Sequence, residues 1–314
     1  MEVDLSYRPR LASLKQVAPA DADAAANANA EAARRRAQRT DSATLAKRNG
    51  YNDNFLEGWK VKWPSAGANA EDVLPVEGTR DNLLTYTNFS VMMSASRRIA
   101  MCVGVNISGK ESVQIPRGKD AWYFDGRIPD DAQIGEELYA GNLLDRGHLV
   151  RREDPNWGAD AETANEDTFH FTNCSPQMGA FNQKTWLSLE NYVLKNARNS
   201  RERITVFSGP VFGARDLEYR GVLIPLAFWK VIAFIDDDGN PSATAYMISQ
   251  KSELSALEVA FGAFKTYQRS VAYIEEITGL DFLGLTDYDG FSNEERATGT
   301  RIEAELASAG AMRV

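Results

Sequence analysis

The chain has 314 residues, with 35 basic and 44 acidic side chains and a formal net charge of −9. Its hydrophobic fraction of 43% and charged fraction of 25% are those of a globular protein long enough to bury a sizeable core. The acidic balance argues against binding nucleic acid through overall charge, two cysteines cannot build a disulfide framework, and no stretch approaches the roughly 18 apolar residues that cross a bilayer.

Residues 1–45 differ in composition from the rest. DADAAANANAEAARRRAQR is alanine-rich, acidic first and basic last, which suits the dipole of an exposed helix or arm. The start has no apolar run after its charges, so no secretory signal is expected and the expected location is cytoplasmic. From residue 46 to about 290 the composition is globular. Phe89 to Ser94 and Ile99 to Asn106 are expected strands joined at Ser96-Arg97, and Leu143 to Leu149 a short extended piece. Thr168 to Cys174 alternates like a strand, ended by Pro176. Asn182 to Ala197 is the clearest helix, with Trp186, Leu189, Val193 and Ala197 recurring on one face. Arg203 to Ser208, Leu223 to Phe234 and Ala243 to Ser249 are expected strands, with a turn at Asp236 to Asn240. Glu253 to Phe264 and Val271 to Ile277 are expected helices, the second stopped at Thr278-Gly279. Residues 291–314 are expected to form a helical tail. Strands and helices mix without regular βαβ alternation, so the fold class is α+β with a mixed or antiparallel central sheet and flanking helices.

There are only two histidines, His148 and His170. His148 lies in Asp145-Arg146-Gly147-His148, where a group that titrates near neutral pH has a carboxylate and a guanidinium close in sequence. Asn182 and Glu190 fall on the same broad side of the expected helix, about 80° apart with about 12 Å of rise. An amide oxygen and a carboxylate so placed suit a hard cation that keeps most of its waters. Taken locally, Asn182 is equally an N-cap and Glu190 a solvated helix position. His170 and Cys174 have the spacing of a zinc pair, but no second pair completes a tetrahedral site. No G-x-S-x-G elbow accompanies the histidine, which argues against a serine hydrolase.

Three pieces in order carry a resemblance: Asp145-Arg-Gly-His148, then Asn173-Cys-Ser-Pro176-Gln177, then Asn182-Gln-Lys-Thr-Trp186-Leu-Ser-Leu189-Glu190. Together they resemble the DNA/RNA non-specific endonucleases, the sugar-non-specific nucleases with a ββα-metal finger. The likeness runs from about Gly50 to about Leu285. It implies a nuclease that cuts DNA and RNA with Mg²⁺, or Mn²⁺ in its place, and leaves 5′-phosphates. It implies His148 as general base, Asn182 as direct metal ligand and Glu190 as a ligand through water. A catalytic arginine is implied before the DRGH stretch. Arg117 matches, with Arg127 as rival, because the spacing departs slightly from the family's. Arg146 would contact phosphate or anchor the loop, and Asn173 would support the site; Asp145, three residues before His148, is from its position alone a candidate orienting neighbour. The family often forms homodimers and includes effectors of bacterial defence. On that reading residues 1–45 are a candidate contact for a regulatory or sensor partner. A different class remains open: a catalytically silent binding module on a nuclease fold.

Overall fold

The computed structural model describes residues 38–79, 81–178, 190, 194–195, 197–200, 202–250 and 266–306. In chain order the strands are β1 (Arg39–Thr40), β2 (Leu83–Tyr86), β3 (Phe89–Met93), β4 (Ala100–Ser108), β5 (Phe124–Asp125), β6 (Leu144–His148), β7 (Cys174–Met178), β8 (Arg203–Val211), β9 (Leu217–Tyr219), β10 (Val222–Ile224), β11 (Ala227–Ile235), β12 (Pro241–Ser249), β13 (Thr266–Arg269) and β14 (Ala304–Glu305). Eight of them form one antiparallel sheet in the order β14-β13-β12-β11-β8-β4-β3-β2. The α+β architecture expected from the sequence is the one observed.

Because side chains alternate along a strand, the central strands divide their apolar residues between two cores. On one face stand Val103, Val105, Ile204, Val206, Phe228 and Ile232. On the other stand Cys102, Phe207, Trp229, Val231 and Ala233. The helix Val271–Thr278 covers the second face with Val271 and Ile274. Its Ser270 cap accepts from Tyr273 N, and Gly279 ends it in the left-handed region at φ 70°. The first face is covered by the stretch that carries the DRGH motif, through Trp122, Phe124, Leu144, Leu149, Phe169 and Phe171. Lys230 lies on that first face between Phe228 and Ile232 and is buried.

Several expectations are revised. Thr168 to Cys174 is not a strand. Phe171–Asn173 is a 3₁₀ turn, and the strand starts at Cys174 and runs through Pro176 to Met178. Phe169, His170 and Phe171 are all buried, so the apparent alternation marks no solvent face. Pro176 is tolerated because, among the described residues, β7 pairs only with β6. The run Leu223 to Phe234 is split at Pro225 into β10 and β11. The tail is helical over Gly290–Thr298, stops at Gly299 with φ 70°, and then supplies β14 to the main sheet. The N-terminal arm is described only from Gln38. There β1 pairs in parallel with β5, and Leu45 is fully buried, so the end of this stretch docks on the domain. The expected helices Asn182 to Ala197 and Glu253 to Phe264 lie largely or wholly outside the described residues. Within the first, Glu190, Leu194, Lys195 and residues 197–200 are helical, and Ala197 is buried as expected. Among the described residues no helix is long and apolar enough to cross a membrane.

Candidate active site

β6 and β7 pair antiparallel with Asp145 opposite Gln177, Arg146 opposite Pro176, Gly147 opposite Ser175 and His148 opposite Cys174. Two pieces of the motif, DRGH and the Pro-Gln pair, are therefore one two-stranded unit. Gly147 is required by close approach, because a Cβ there would stand 2.0 Å from Gln177 Oε1. Asn173 ties the unit to the chain on either side of it. Its Oδ1 accepts from Val150 N at 2.9 Å, and its Nδ2 donates to Val150 O at 2.9 Å and Thr168 O at 3.0 Å. Leu149 N donates to Asn173 O at 2.9 Å. The backbone just after His148 is thus held at successive residues.

His148 projects beside two aromatic rings. Trp122 lies 4.8 Å away between centroids, and Phe169 meets the imidazole edge-on at 5.0 Å. The residue keeps some exposure, but its Nε2 is buried and has no hydrogen-bond partner among the described residues. Burial pushes the imidazole down to about 3. The Asp120 carboxylate opposes that shift, and the guanidinium groups of Arg117, Arg152 and Arg146 add to it. The ring is therefore a neutral acceptor at physiological pH.

The cavity at this ring has a volume of about 420 Å³, and its wall includes Arg117, Asp145, Arg146, Arg152 and Glu190. Arg117 is two-thirds exposed and makes a two-pronged contact with Asp120, at 3.2 and 2.7 Å. Arg146 pairs with Glu136 at 2.6 Å and lies over Trp122 and Tyr139, so it is anchored while still facing the cavity. Burial raises the Asp145 carboxyl, with Arg146 opposing. Glu190 reaches the cavity from its helix and pairs with Lys230 Nζ at 3.0 Å.

Arg127 is elsewhere. It binds Asp125 at 2.6 Å and Thr85 O at 2.7 Å, and it does not line this cavity. Asn173 is inside the structure, not on the cavity wall. Asn182 lies outside the described residues. His170 is committed to Asp167 O and to Thr40 Oγ1, both at 2.9 Å, and burial pushes the Cys174 thiol up to about 12. Sequence reading missed Trp122 and Arg152 on the cavity wall and Lys230, which does not line the cavity but pairs with Glu190. Arg152 was visible as half of a basic pair, and Lys230 only as one cation in an otherwise apolar strand.

Among the described residues no cluster of three His, Cys, Asp or Glu side chains is arranged around a metal. A hydrated hard cation held by one amide and one carboxylate through water needs no such cluster. The acidic Glu190 and the orphaned His148 Nε2 on the same cavity fit that group.

A family model of DNA/RNA non-specific endonucleases matches residues 66–289. The protein y4fB of Sinorhizobium fredii is 39% identical over 285 residues, covering 82% of this chain and 42% of y4fB, so the chain spans less than half of that relative. A nuclease of Nostoc sp. is 26% identical over 226 residues, 68% of this chain and 78% of the nuclease. Human mitochondrial endonuclease G is 29% identical over 122 residues, 35% of this chain and 40% of that protein. In a solved EndoG/EndoGI complex, a chain with a TM-score of 0.52 and 17% identity covers 66% of this chain and is covered over 87% of its own length, which shows a shared fold. With DRGH and the Pro-Gln pair joined as β6 and β7 and a family model matching residues 66–289, the chain belongs to the DNA/RNA non-specific endonuclease family.

Proposed function

We propose that the chain is a Mg²⁺-dependent endonuclease that hydrolyses phosphodiester bonds in DNA and RNA and leaves 5′-phosphate ends. The observation that carries this reading is the buried, unpartnered Nε2 of a neutral His148 on a cavity lined by arginines. Such a nitrogen takes the proton of a water attacking phosphorus. Arg117 faces the same cavity, is free of the buried frame, and would bind the phosphoryl oxygens as charge builds on them. Arg146 would hold a neighbouring phosphate, and Asp145 and Asn173 would keep the histidine strand in place. Asn182 directly and Glu190 through water would hold the Mg²⁺, with Mn²⁺ as a substitute. When bound, the ion supplies Lewis-acid polarisation of the phosphate and stabilises the leaving 3′-oxygen. Side chains aimed at phosphate read the backbone and not base edges, which accounts for cutting with little sequence preference.

The reading extends to control. A nuclease retained in the cytoplasm needs restraint, and residues 1–45 are the proposed contact for a regulatory partner in a defence setting. EndoG, which shares the fold, is inhibited within a complex with EndoGI. Removing residues 1–37 should alter activity or assembly, read by cleavage rate and by light scattering, which also reports whether the chain is a dimer.

The test of the chemistry is digestion of plasmid DNA and of RNA with Mg²⁺, with EDTA, and by His148→Ala and Asn182→Ala. Cleavage that needs the divalent ion and is lost in both variants is expected. Full activity of His148→Ala would sink the reading. Absence of cleavage by the wild type with any divalent ion would favour the silent binding module.

A further inference from the structure

Lys230 is a cation in the middle of a central strand, with its side chain only 4% exposed. Burying an ammonium costs several kcal/mol unless partners repay it, and an apolar side chain of similar size would fill the same place at less cost. Its partners indicate what it does there. Lys230 Nζ stands 3.0 Å from Glu190 Oε1 and 3.4 Å from Leu149 O. Directly across the sheet, Ser208 is its register partner, and Ser208 Oγ donates to the same Leu149 O at 2.9 Å. Leu149 is the residue after His148. Two side chains of the sheet floor therefore hold the peptide next to the base. One of them also holds the carboxylate that reaches the cavity from the opposite helix.

We propose that Lys230 is a positioning residue that ties Glu190 to the His148 strand and, by its charge, limits how tightly the cavity holds a divalent cation. The inference rests on the Mg²⁺-nuclease reading. The two effects have opposite signs, and that separates them from a merely structural role. The ammonium lowers the attraction of the Glu190 carboxylate for a dication, so removing the charge tightens metal binding. The same removal frees the carboxylate and one anchor of the His148 strand, so it slows turnover. A lysine that only supported the fold would, on removal, loosen the metal and lower stability together.

The test uses the full chain with Lys230→Met, Lys230→Gln, Lys230→Arg and Ser208→Ala. Mn²⁺ affinity is read by electron paramagnetic resonance, and kcat and KM are read from DNA cleavage. Lys230→Met and Lys230→Gln are expected to bind Mn²⁺ about fivefold tighter. Their kcat should fall about tenfold or more, with KM for DNA within about twofold. Lys230→Arg should return Mn²⁺ affinity to the wild-type value and recover part of kcat. Ser208→Ala should lower kcat and leave Mn²⁺ affinity unchanged. If Lys230→Met does not fold, Lys230→Gln and Ser208→Ala carry both readouts. Unchanged or weaker Mn²⁺ affinity in the uncharged variants, or a kcat within about twofold of wild type, overturns the inference. A wild type that binds Mn²⁺ without cleaving overturns the nuclease reading, and the affinity arm still decides the role of the charge.

Discussion

Gly147 and Gln177 meet in one space. A Cβ added at Gly147 would lie 2.0 Å from Gln177 Oε1 and 2.1 Å from its Cδ, closer than any real contact allows. Gln177 is itself buried on β7, so it cannot swing into solvent. The glycine of DRGH is therefore small because the glutamine of the Pro-Gln pair lies against it.

Gly147→Ala should then push β6 away from β7 and carry His148 with it. A loss of about 2 kcal/mol, the usual cost of forcing atoms into a filled core, is expected in chemical denaturation. Cleavage should fall by at least about tenfold, since a displacement of about 1 Å at a reacting group can cost more than that. Adding Gln177→Ala removes the clash, so the double variant should recover stability over Gly147→Ala alone. No recovery would show that some other contact sets the need for glycine.

The acid behaviour of His148 has a defined sign. Its imidazole is held down to about 3 in the folded protein against an ordinary value of 6.5. Between those values the unfolded chain binds a proton that the folded chain does not. The stability tied to this site is complete above pH 6.5 and is lost as pH falls toward 3. Between pH 7.5 and 4.5 the wild type should lose about 1–2 kcal/mol more than His148→Gln does, a range reduced for the ring's partial exposure. Parallel stability curves for the two proteins would contradict the buried neutral ring. The decline in activity that His148 protonation would cause also moves to well below pH 6.5, because the group that must stay neutral already is.

Asn173 is expected to act through structure. Asn173→Leu has a similar volume but leaves Val150 N, Val150 O and Thr168 O without their partner. Losing several buried hydrogen bonds at once should cost about 2–4 kcal/mol, measured by denaturant unfolding. Turnover of the folded fraction should also fall, because Val150 is two residues from His148. A variant as stable as wild type would remove Asn173 from the support of the site.

The two arginines should separate cleanly. Arg117→Ala touches an exposed pair, so stability should stay within about 0.5 kcal/mol of wild type. Its cleavage rate should fall about a hundredfold if it meets the phosphate. Arg127→Ala removes the guanidinium paired with the fully buried Asp125 carboxylate, leaving it only neutral donors such as Tyr86 Oη, and should cost about 3–5 kcal/mol. The cleavage rate per folded molecule should stay near wild type. The opposite pattern would make Arg127 the catalytic arginine.

Much of this protein is legible along the chain because some constraints are local. Short apolar runs bounded by turn residues mark β3, β4, β8 and β12, and Gly279 marks a helix stop, since both depend on neighbours a few residues away. The DRGH, Asn-Pro-Gln and helical pieces are likewise readable, because their spacing is covalent. Local reading failed at Thr168 to Cys174, where burial on every side imitates the alternation of a half-exposed strand.

By itself the sequence determined the α+β class and the family, and it singled out His148 as the candidate titratable group with Asp145 and Arg146 beside it. Tertiary structure alone decided what stands against that histidine and what sits beneath it. Trp122 and Phe169 bury Nε2, Arg117 is at the cavity while Arg127 is spent on Asp125, and Lys230 reaches from the sheet floor to Glu190 and Leu149. The physical reason is that periodicity tells which way a side chain points along its own element. It carries no information about which distant element it will meet, and a pKa, a buried ion pair or a steric clash is a property of that meeting.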